Sequence, residues 1–233
     1  MSSTNDTNPP VRLPALAWRE TLGLLLTPAL LGVVWYHGQM PRLGARWEIF
    51  GWFGMTTLAL FVVPALVIKF VFRQRLRDYG VSLGQPAVWG RYLLVFGAVM
   101  VPVIVIASRL PSLHGFYPRY PLARVGEYPG ASWGWFALCA AGWLVYFFAW
   151  EFFFRGFLLN LLAPRYGAGL AIAVQTIPFA LMHFPKVETE AFSSIFAGVL
   201  LGIMAYRGRS MVGAWLLHWG VAFLMDLLVV VWK

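Results

Sequence analysis

Long apolar runs separated by short polar or basic segments restrict the fold of this chain more than any other feature. A helix that crosses a bilayer needs about 20 mostly apolar residues, and seven runs are candidates. They cover residues 22–36, 49–72, 92–107, 133–163, 169–184, 192–206 and 212–232. Because backbone inside lipid must satisfy its own polar groups, the sequence predicts an all-α fold: a polytopic transmembrane helical bundle of about seven spans, within a range of six to eight.

The composition agrees with a membrane protein and with a single domain. Hydrophobic residues make up 60% of the 233 residues and charged residues only 12%, which is too little polar material to cover a water-facing surface. We predict one integral membrane domain over residues 1–233. Within it, residues 1–17 are predicted to form a disordered tail, and residues 143–226 form the core that carries the motifs.

The basic balance of the chain is interpreted as a topology signal. The net charge of +9 comes from 18 Lys and Arg against 9 Asp and Glu, a balance that would suggest a nucleic-acid partner in a soluble protein. Here the basic residues fall between apolar runs, so the predicted partner is the lipid bilayer, with no nucleic acid. The densest basic segment, residues 73–91, is predicted to be cytoplasmic. The N-terminus is then cytoplasmic, and the loop at residues 108–132 faces the other side of what we predict to be a bacterial inner membrane.

Several common enzyme classes lack their signatures in this sequence. Cys139 is the only cysteine, which excludes an intramolecular disulfide and any multi-cysteine metal site. It lies among apolar residues without a polar neighbour that could activate it, so we interpret it as a small buried hydrophobe. Neither the Gly-x-Ser-x-Gly elbow nor the phosphate-binding Gly-x-x-x-x-Gly-Lys loop occurs.

Two charged residues lie inside the aromatic run at residues 143–160. Glu151 and Arg155 are four residues apart, so on a helix their side chains share a face and lie within reach of each other. Ionisable residues at such depth are usually paired, and they mark candidate functional sites. The alternative is a purely structural ion pair that locks helices together.

Two histidines in apolar surroundings are the natural partners for this pair. His183 ends the fifth run and is followed by Lys186 and Glu190, which would share its face if the helix continued through Pro185. The alternative for this segment is a polar loop at the membrane surface. His218 lies in the seventh run with no acid within one turn, so it is either a site residue or a satisfied core histidine.

The rise of each helix allows the depths of Glu151, His183 and His218 in the membrane to be compared. Counting about 1.5 Å per residue from the assumed cytoplasmic ends puts Glu151 and His183 at similar depth but His218 nearer the cytoplasm. The last span therefore begins deeper in the bundle than its apolar run indicates, or the predicted boundaries shift.

Asp226, about two turns beyond His218, could border the same polar pocket. Gly198 and Gly202 form a small-xxx-small pair that predicts close helix packing without chemistry.

The order of these motifs is similar to that of a known family. Glu-x-x-x-Arg-Gly on one helix, then Phe-x-x-x-His, then a late His on the last helix resembles the CPBP family of CAAX-protease and bacteriocin-processing (Abi) intramembrane endopeptidases. The resemblance covers residues 143–226. Trp150 stands where the family has a first glutamate, and Ala222 stands where it usually has Asn or Asp.

The resemblance implies a glutamate-type intramembrane protease that acts on a peptide or protein substrate at the membrane. It implies catalytic roles for Glu151, Arg155, His183, His218 and Glu190, in which a carboxylate activates water and a histidine stabilises the oxyanion. Because the first glutamate is missing, the base is Glu151 or Glu190, or the protein is inactive. No cofactor is expected. The alternative is zinc held by Glu151, His183 and His218.

Two other functions stay open from the sequence. The chain could be a non-catalytic membrane scaffold or bacteriocin-immunity protein, in which the Glu151–Arg155 pair only holds helices together. It could also be a sorting-type protein-processing enzyme of the same family.

Overall fold

The computed structural model describes residues 18–37 and 46–232. Within these ranges the chain forms eight helices and no strand, which confirms the all-α bundle. The helices are α1 (Trp18–His37), α2 (Glu48–Val71), α3 (Pro86–Ala107), α4 (Pro111–Phe116), α5 (Trp133–Tyr166), α6 (Ala168–Leu181), α7 (Glu188–Gly208) and α8 (Val212–Val231). The predicted tail at residues 1–17 lies outside the described residues.

Five of these helices, namely α2, α3, α5, α7 and α8, are long and apolar enough to cross a membrane. The chain is therefore an integral membrane protein. With the 20-residue α1 and the 14-residue α6, seven helices correspond to the seven predicted apolar runs. Three helices, α1, α3 and α7, begin four or more residues earlier than predicted. Pro86 supplies the first residue of α3, and Glu188 and Glu190 lie in the first turn of α7, where proline and acidic residues favour a helix that apolarity alone does not indicate.

Helix α5 forms the centre of the bundle. It packs against α2 and α8 along its first half and against α1, α6 and α7 along its second half. Helix α3 is peripheral and packs on α7 and α8. The middle of α5 is wound as π-helical turns over Phe152–Leu158, and every residue of that stretch is buried. Such wide turns are frequent at functional sites, and here they begin directly after Glu151 and contain Arg155 and Gly156.

The small-xxx-small prediction for α7 is confirmed. A Cβ on Gly198 would lie 2.6 Å from Cγ2 of Thr176, and one on Gly202 would lie 3.1 Å from Nε2 of Gln175. Both neighbours belong to α6, so the missing side chains let α6 and α7 approach closely. This contact brings the backbone of α7 next to the motif on α5.

The start of α8 is covered by the segment that follows α2. The backbone N–H of Met211 donates to the carbonyl of Gly80 at 3.1 Å, and the hydroxyl of Ser210 donates to the carbonyl of Ser82 at 2.5 Å. Gly84 has a φ of 53°, and a Cβ there would lie 2.3 Å from the carbonyl oxygen of Gly208. Ser210 and Met211 are fully buried as a result. The last span therefore begins inside the bundle. This agrees with the first of the two explanations offered above for the depth of His218, a span that begins deeper than its apolar run indicates.

Candidate active site

Glu151 is the polar centre of the bundle and is fully buried. Its Oε1 accepts from Nη1 of Arg155 at 3.2 Å and lies 2.6 Å from Nδ1 of His218. Its Oε2 lies 3.1 Å from the same arginine nitrogen, although no donor among the described residues makes a hydrogen bond to it. The carboxylate is therefore held by a cation from its own helix and by a histidine from α8.

Arg155 is also completely buried. Its Nη2 donates to the carbonyl of Gly198 at 3.4 Å, and its guanidinium lies 4.0 Å from the ring centroid of Phe179. An ion pair, a carbonyl and an aromatic face together compensate for part of the cost of removing this charge from water. Arg155 thereby links α5 to α6 and α7.

His218, on α8, is the second partner of the buried Glu151 carboxylate. Because a carboxylate can only accept, the ring nitrogen Nδ1 carries the hydrogen in this contact, and Nε2 is the other ring nitrogen. The ring lies 4.2 Å from the ring of Phe147, centroid to centroid. A carboxylate that accepts from one nitrogen of a histidine fixes its tautomer and orientation.

His183 lies just beyond the end of α6 and is also buried. Its Nδ1 is 2.7 Å from the carbonyl of Phe179, so in this ring too Nδ1 carries the hydrogen. The rings of His183 and His218 are 6.2 Å apart, centroid to centroid, and are inclined by 27°. The predicted convergence of both histidines on one site is thus present in the structure.

Glu190 holds a second, separate cluster near the start of α7. Its Oε1 accepts from Nζ of Lys186 at 2.5 Å, and its Oε2 accepts from the hydroxyl of Tyr117 at 2.5 Å. Burial, followed by the charge of Glu190, raises the pKa of Tyr117 well above its usual value, so the phenol keeps its proton and remains the donor. The helix does not continue through Pro185, yet Lys186 and Glu190 still meet across the connection.

A cavity of about 580 Å³ joins the two clusters. Its polar lining consists mainly of His183, Lys186, Glu190, His218, Asp226 and Arg119, and its other walls are largely aromatic and aliphatic. Asp226 borders it, as the sequence suggested. Glu151 and Arg155 do not line it. The Glu151 carboxylate is therefore separated from the cavity by its lining residues. His218 both contacts this carboxylate and lines the cavity.

Trp150 occupies the place next to Glu151 and lines the cavity as well. Its indole stacks on Tyr146 with centroids 5.6 Å apart and meets the ring of His183 edge to face at 5.9 Å. An apolar aromatic surface thus covers the position where the resemblance implies a first glutamate. Ala222, the other departure, also lines the cavity, and Asp226 follows it by one helical turn.

The arrangement does not fit a zinc site built from Glu151, His183 and His218. Oε1 of Glu151 and Nδ1 of His218 are hydrogen-bonded directly to each other, so neither atom is directed to a shared metal position. Over residues 18–37 and 46–232, no group of three His, Cys, Asp or Glu side chains is placed to hold a metal ion. No step is therefore derived through a metal.

Two residues that contact the site were not predicted from the sequence. Tyr117 lies in the loop between α4 and α5, 73 residues from its partner Glu190, and nothing in the local sequence indicates that contact. Gln175 is fully buried in α6 and donates to the carbonyl of Gly198 at 2.9 Å, beside Arg155. An amide inside an apolar run was the available signal for Gln175.

Comparison with protein families decides how this geometry is interpreted. Residues 132–224 match the family described as type II CAAX prenyl endopeptidase Rce1-like. The resemblance to CAAX-protease-like membrane endopeptidases is thereby confirmed, over a segment that includes Glu151, Arg155, His183, Glu190 and His218. Neither the curated proteins nor the solved structures give a significant match to the chain.

Proposed function

We propose that this protein is an intramembrane endopeptidase that hydrolyses a peptide bond of a membrane-associated substrate. The observation that carries the proposal is the Glu151–His218 contact of 2.6 Å at the wall of a cavity of about 580 Å³. The match of residues 132–224 to a protease family supports the same reaction class.

In the proposed mechanism, Glu151 acts through His218. The carboxylate fixes the Nδ1–H tautomer, so Nε2 of His218 carries the lone pair that removes a proton from water as the water attacks the scissile carbonyl. The charge of Glu151 stabilises the imidazolium that forms. His218 then returns this proton to the amine nitrogen as the C–N bond breaks, which releases a free amine and a carboxylic acid. Arg155 holds the carboxylate in place through their ion pair, which makes Arg155 a positioning residue.

His183 and Lys186 supply the second half of the site. His183 lines the same cavity with its ring 6.2 Å from that of His218, centroid to centroid, so it is placed to hold the attacking water beside the proposed base. The ammonium of Lys186 is a donor for the developing oxyanion. Glu190 is the poorer candidate for the base, because both of its oxygens already accept hydrogen bonds.

The test is substrate processing in cells that express variants at equal membrane levels. His218→Asn retains a nitrogen donor for Glu151 but removes the proposed base, so we expect processing to fall by about 10²–10⁴-fold without loss of folded protein. Glu151→Gln and His183→Asn are expected to give comparable losses, and Glu190→Gln a smaller one. Glu188→Gln, on the exposed side of the same helix turn, and His114→Ala, away from the cavity, are the matched controls.

The same set distinguishes the protease from a non-catalytic scaffold or immunity protein. Glu151→Ala is a poor discriminator, since it leaves Arg155 buried without its partner and destabilises the protein under either reading. His218→Asn is better because it leaves the ion pair intact. Unchanged processing in all four site variants would remove the protease proposal. A normally folded His218→Asn protein that no longer processes substrate would remove the scaffold.

A further inference from the structure

The residues that line the cavity lie toward one end of the bundle. The cavity is lined by the last turn of α1, the first turns of α2 and α7, the second half of α3 and the loop before α5. In an up-and-down bundle these segments lie at the same membrane face. Val34, Trp52, Ile104, Tyr117 and Ser193 represent the five segments.

The basic residues are concentrated at the opposite end. Nine of the described arginines and lysines are found there, at the start of α1, the end of α2 and the segment after it, the first turns of α3, the end of α5 and the turn from α7 to α8. They are Arg19, Lys69, Arg73, Arg75, Arg77, Arg91, Arg165, Arg207 and Arg209. This end also contains a polar crevice lined by Arg77, Arg207 and Arg209.

The cations at the cavity end are fewer and most have local partners. Of the described residues they comprise Arg46, Arg109, Arg119, Arg124 and Lys186. Arg109 lies over the ring of Trp232 at 4.2 Å, Arg124 is 3.3 Å from Glu127, and Lys186 is bonded to Glu190. Short loops rich in Arg and Lys remain in the cytoplasm, so the charge distribution points to the basic end as the cytoplasmic one.

The edge of the cavity between α1 and α3 is the candidate lateral entrance from the bilayer. Helix α1 packs on α2 and α5, whereas α3 packs on α7 and α8, yet both line the cavity. At this edge Tyr36 is 74% exposed, Trp35 46% and Val103 48%. Tyr and Trp are typical of the boundary between lipid and water, which is where a segment leaving the membrane meets this entrance.

We propose that the substrate is a peptide segment presented at the non-cytoplasmic leaflet, which reaches the site laterally between α1 and α3. The proposal rests on the proposed protease function and adds the side from which the substrate comes. It excludes soluble cytoplasmic proteins as substrates, because the site is reached from the opposite face. A membrane-anchored protein whose scissile bond lies just outside the non-cytoplasmic end of its anchor meets the requirement.

Thiol labelling tests the side of the cavity independently of catalysis. Cys139 is the only cysteine and is 2% exposed, so the unmodified protein is the blank. Ser193→Cys and Tyr36→Cys place a thiol at the cavity and its edge, and Leu83→Cys places one in the exposed segment at the basic end. Each is treated with a membrane-impermeant maleimide in intact bacterial cells and after permeabilisation.

We expect the two cavity thiols to be labelled in intact cells at least about tenfold above the blank, and Leu83→Cys only after permeabilisation. Protection of both cavity thiols in intact cells, or labelling of Leu83→Cys in intact cells, would overturn the proposed side. The protease proposal is contradicted by a different result, namely unchanged substrate processing in the four site variants. That result would not change what the labelling shows about the side of the cavity.

Discussion

At the scale of single residues, the most informative feature is that the central carboxylate is hidden. Glu151 contacts Arg155 and His218 but does not border the cavity. The sequence indicated the pair and both histidines, because polar residues are conspicuous in apolar runs. It left the choice of base open, since the order of residues along a helix does not reveal which of them faces a cavity formed by other helices.

Arg155→Met tests the cost of separating the buried ion pair. The change leaves the Glu151 charge buried with His218 alone, and we expect destabilisation by about 3–5 kcal/mol, measured as a fall in thermal unfolding midpoint in detergent. The double variant Glu151→Gln with Arg155→Met is expected to recover much of that loss, because no uncompensated charge remains. Arg165→Met, an exposed position on the same helix, is the control. A double variant as unstable as the single one would contradict this account.

Tyr117→Phe tests the donor that ties the loop to α7. Removal of one hydrogen bond to the Glu190 carboxylate is expected to cost about 1.5–3 kcal/mol, with Lys186 still in place. Because the pKa of Tyr117 is raised well above its ordinary value, the wild-type phenol keeps its proton up to pH 10. Its contribution to stability is then lost only as pH rises beyond that value.

The measurement is the unfolding midpoint of wild type and Tyr117→Phe between pH 7 and 10. The difference between them is expected to stay constant over this range. Tyr128→Phe, an exposed tyrosine of the same loop, should match wild type throughout. A difference that shrinks below pH 10 would show that the Tyr117 phenol ionises earlier than its environment indicates.

At the scale of helices, the glycines of α7 and the π-helical turns of α5 bring the site together. The long apolar runs predicted the helices and the small-xxx-small pair predicted the close packing at Gly198 and Gly202, and both predictions are confirmed. The π-helical stretch at Phe152–Leu158 was not predicted, because Phe, Leu and Gly in this run are equally compatible with regular α-helical turns. The stretch packs against α6 and α7, which are formed by later residues of the chain, and nothing within residues 152–158 indicates the wider turn.

Gly198→Ala tests the close approach of α6 and α7. The new methyl group would lie 2.6 Å from Thr176, so the helices must separate, at a cost of about 1–3 kcal/mol. The carbonyl of Gly198 accepts from Arg155, and processing should therefore fall together with the unfolding midpoint. Gly97→Ala in α3, where no heavy atom lies within 4 Å of the new Cβ, is expected to be neutral or slightly stabilising. Equal effects at the two positions would contradict the packing explanation.

At the scale of the whole molecule, the proposed orientation rests on the charge asymmetry between the two ends of the bundle. Replacing Arg73, Arg75 and Arg77 together by Gln removes a third of the described cations at the basic end. We expect a mixed population of orientations, detected as labelling of Leu83→Cys in intact cells. Replacing Arg109, Arg119 and Arg124 by Gln is the matched control and should leave that thiol protected. A uniform orientation in both triple variants would argue that apolar packing alone sets the topology.

The depth of the last span shows what sequence reading misses at this scale. Counting residues from an apolar boundary separated His218 in depth from Glu151, which it contacts in the structure, because the count took that boundary as the membrane surface. The segment after α2 covers the start of α8 through Gly80 and Ser82, so the helix begins inside the protein. No local pattern in residues 212–232 carries this information.

The division of labour along the chain has a consequence for how such a protein diversifies. The proposed proton-transfer and positioning groups all lie beyond residue 132, whereas α1, α2, α3 and the loop before α5 contribute mainly walls and the candidate lateral entrance. Tyr117 is the main point at which the first half touches the charged groups of the second. Substitutions in the first half can therefore reshape which sequences are admitted while the reacting groups stay untouched, and a new specificity can arise without rebuilding the chemistry.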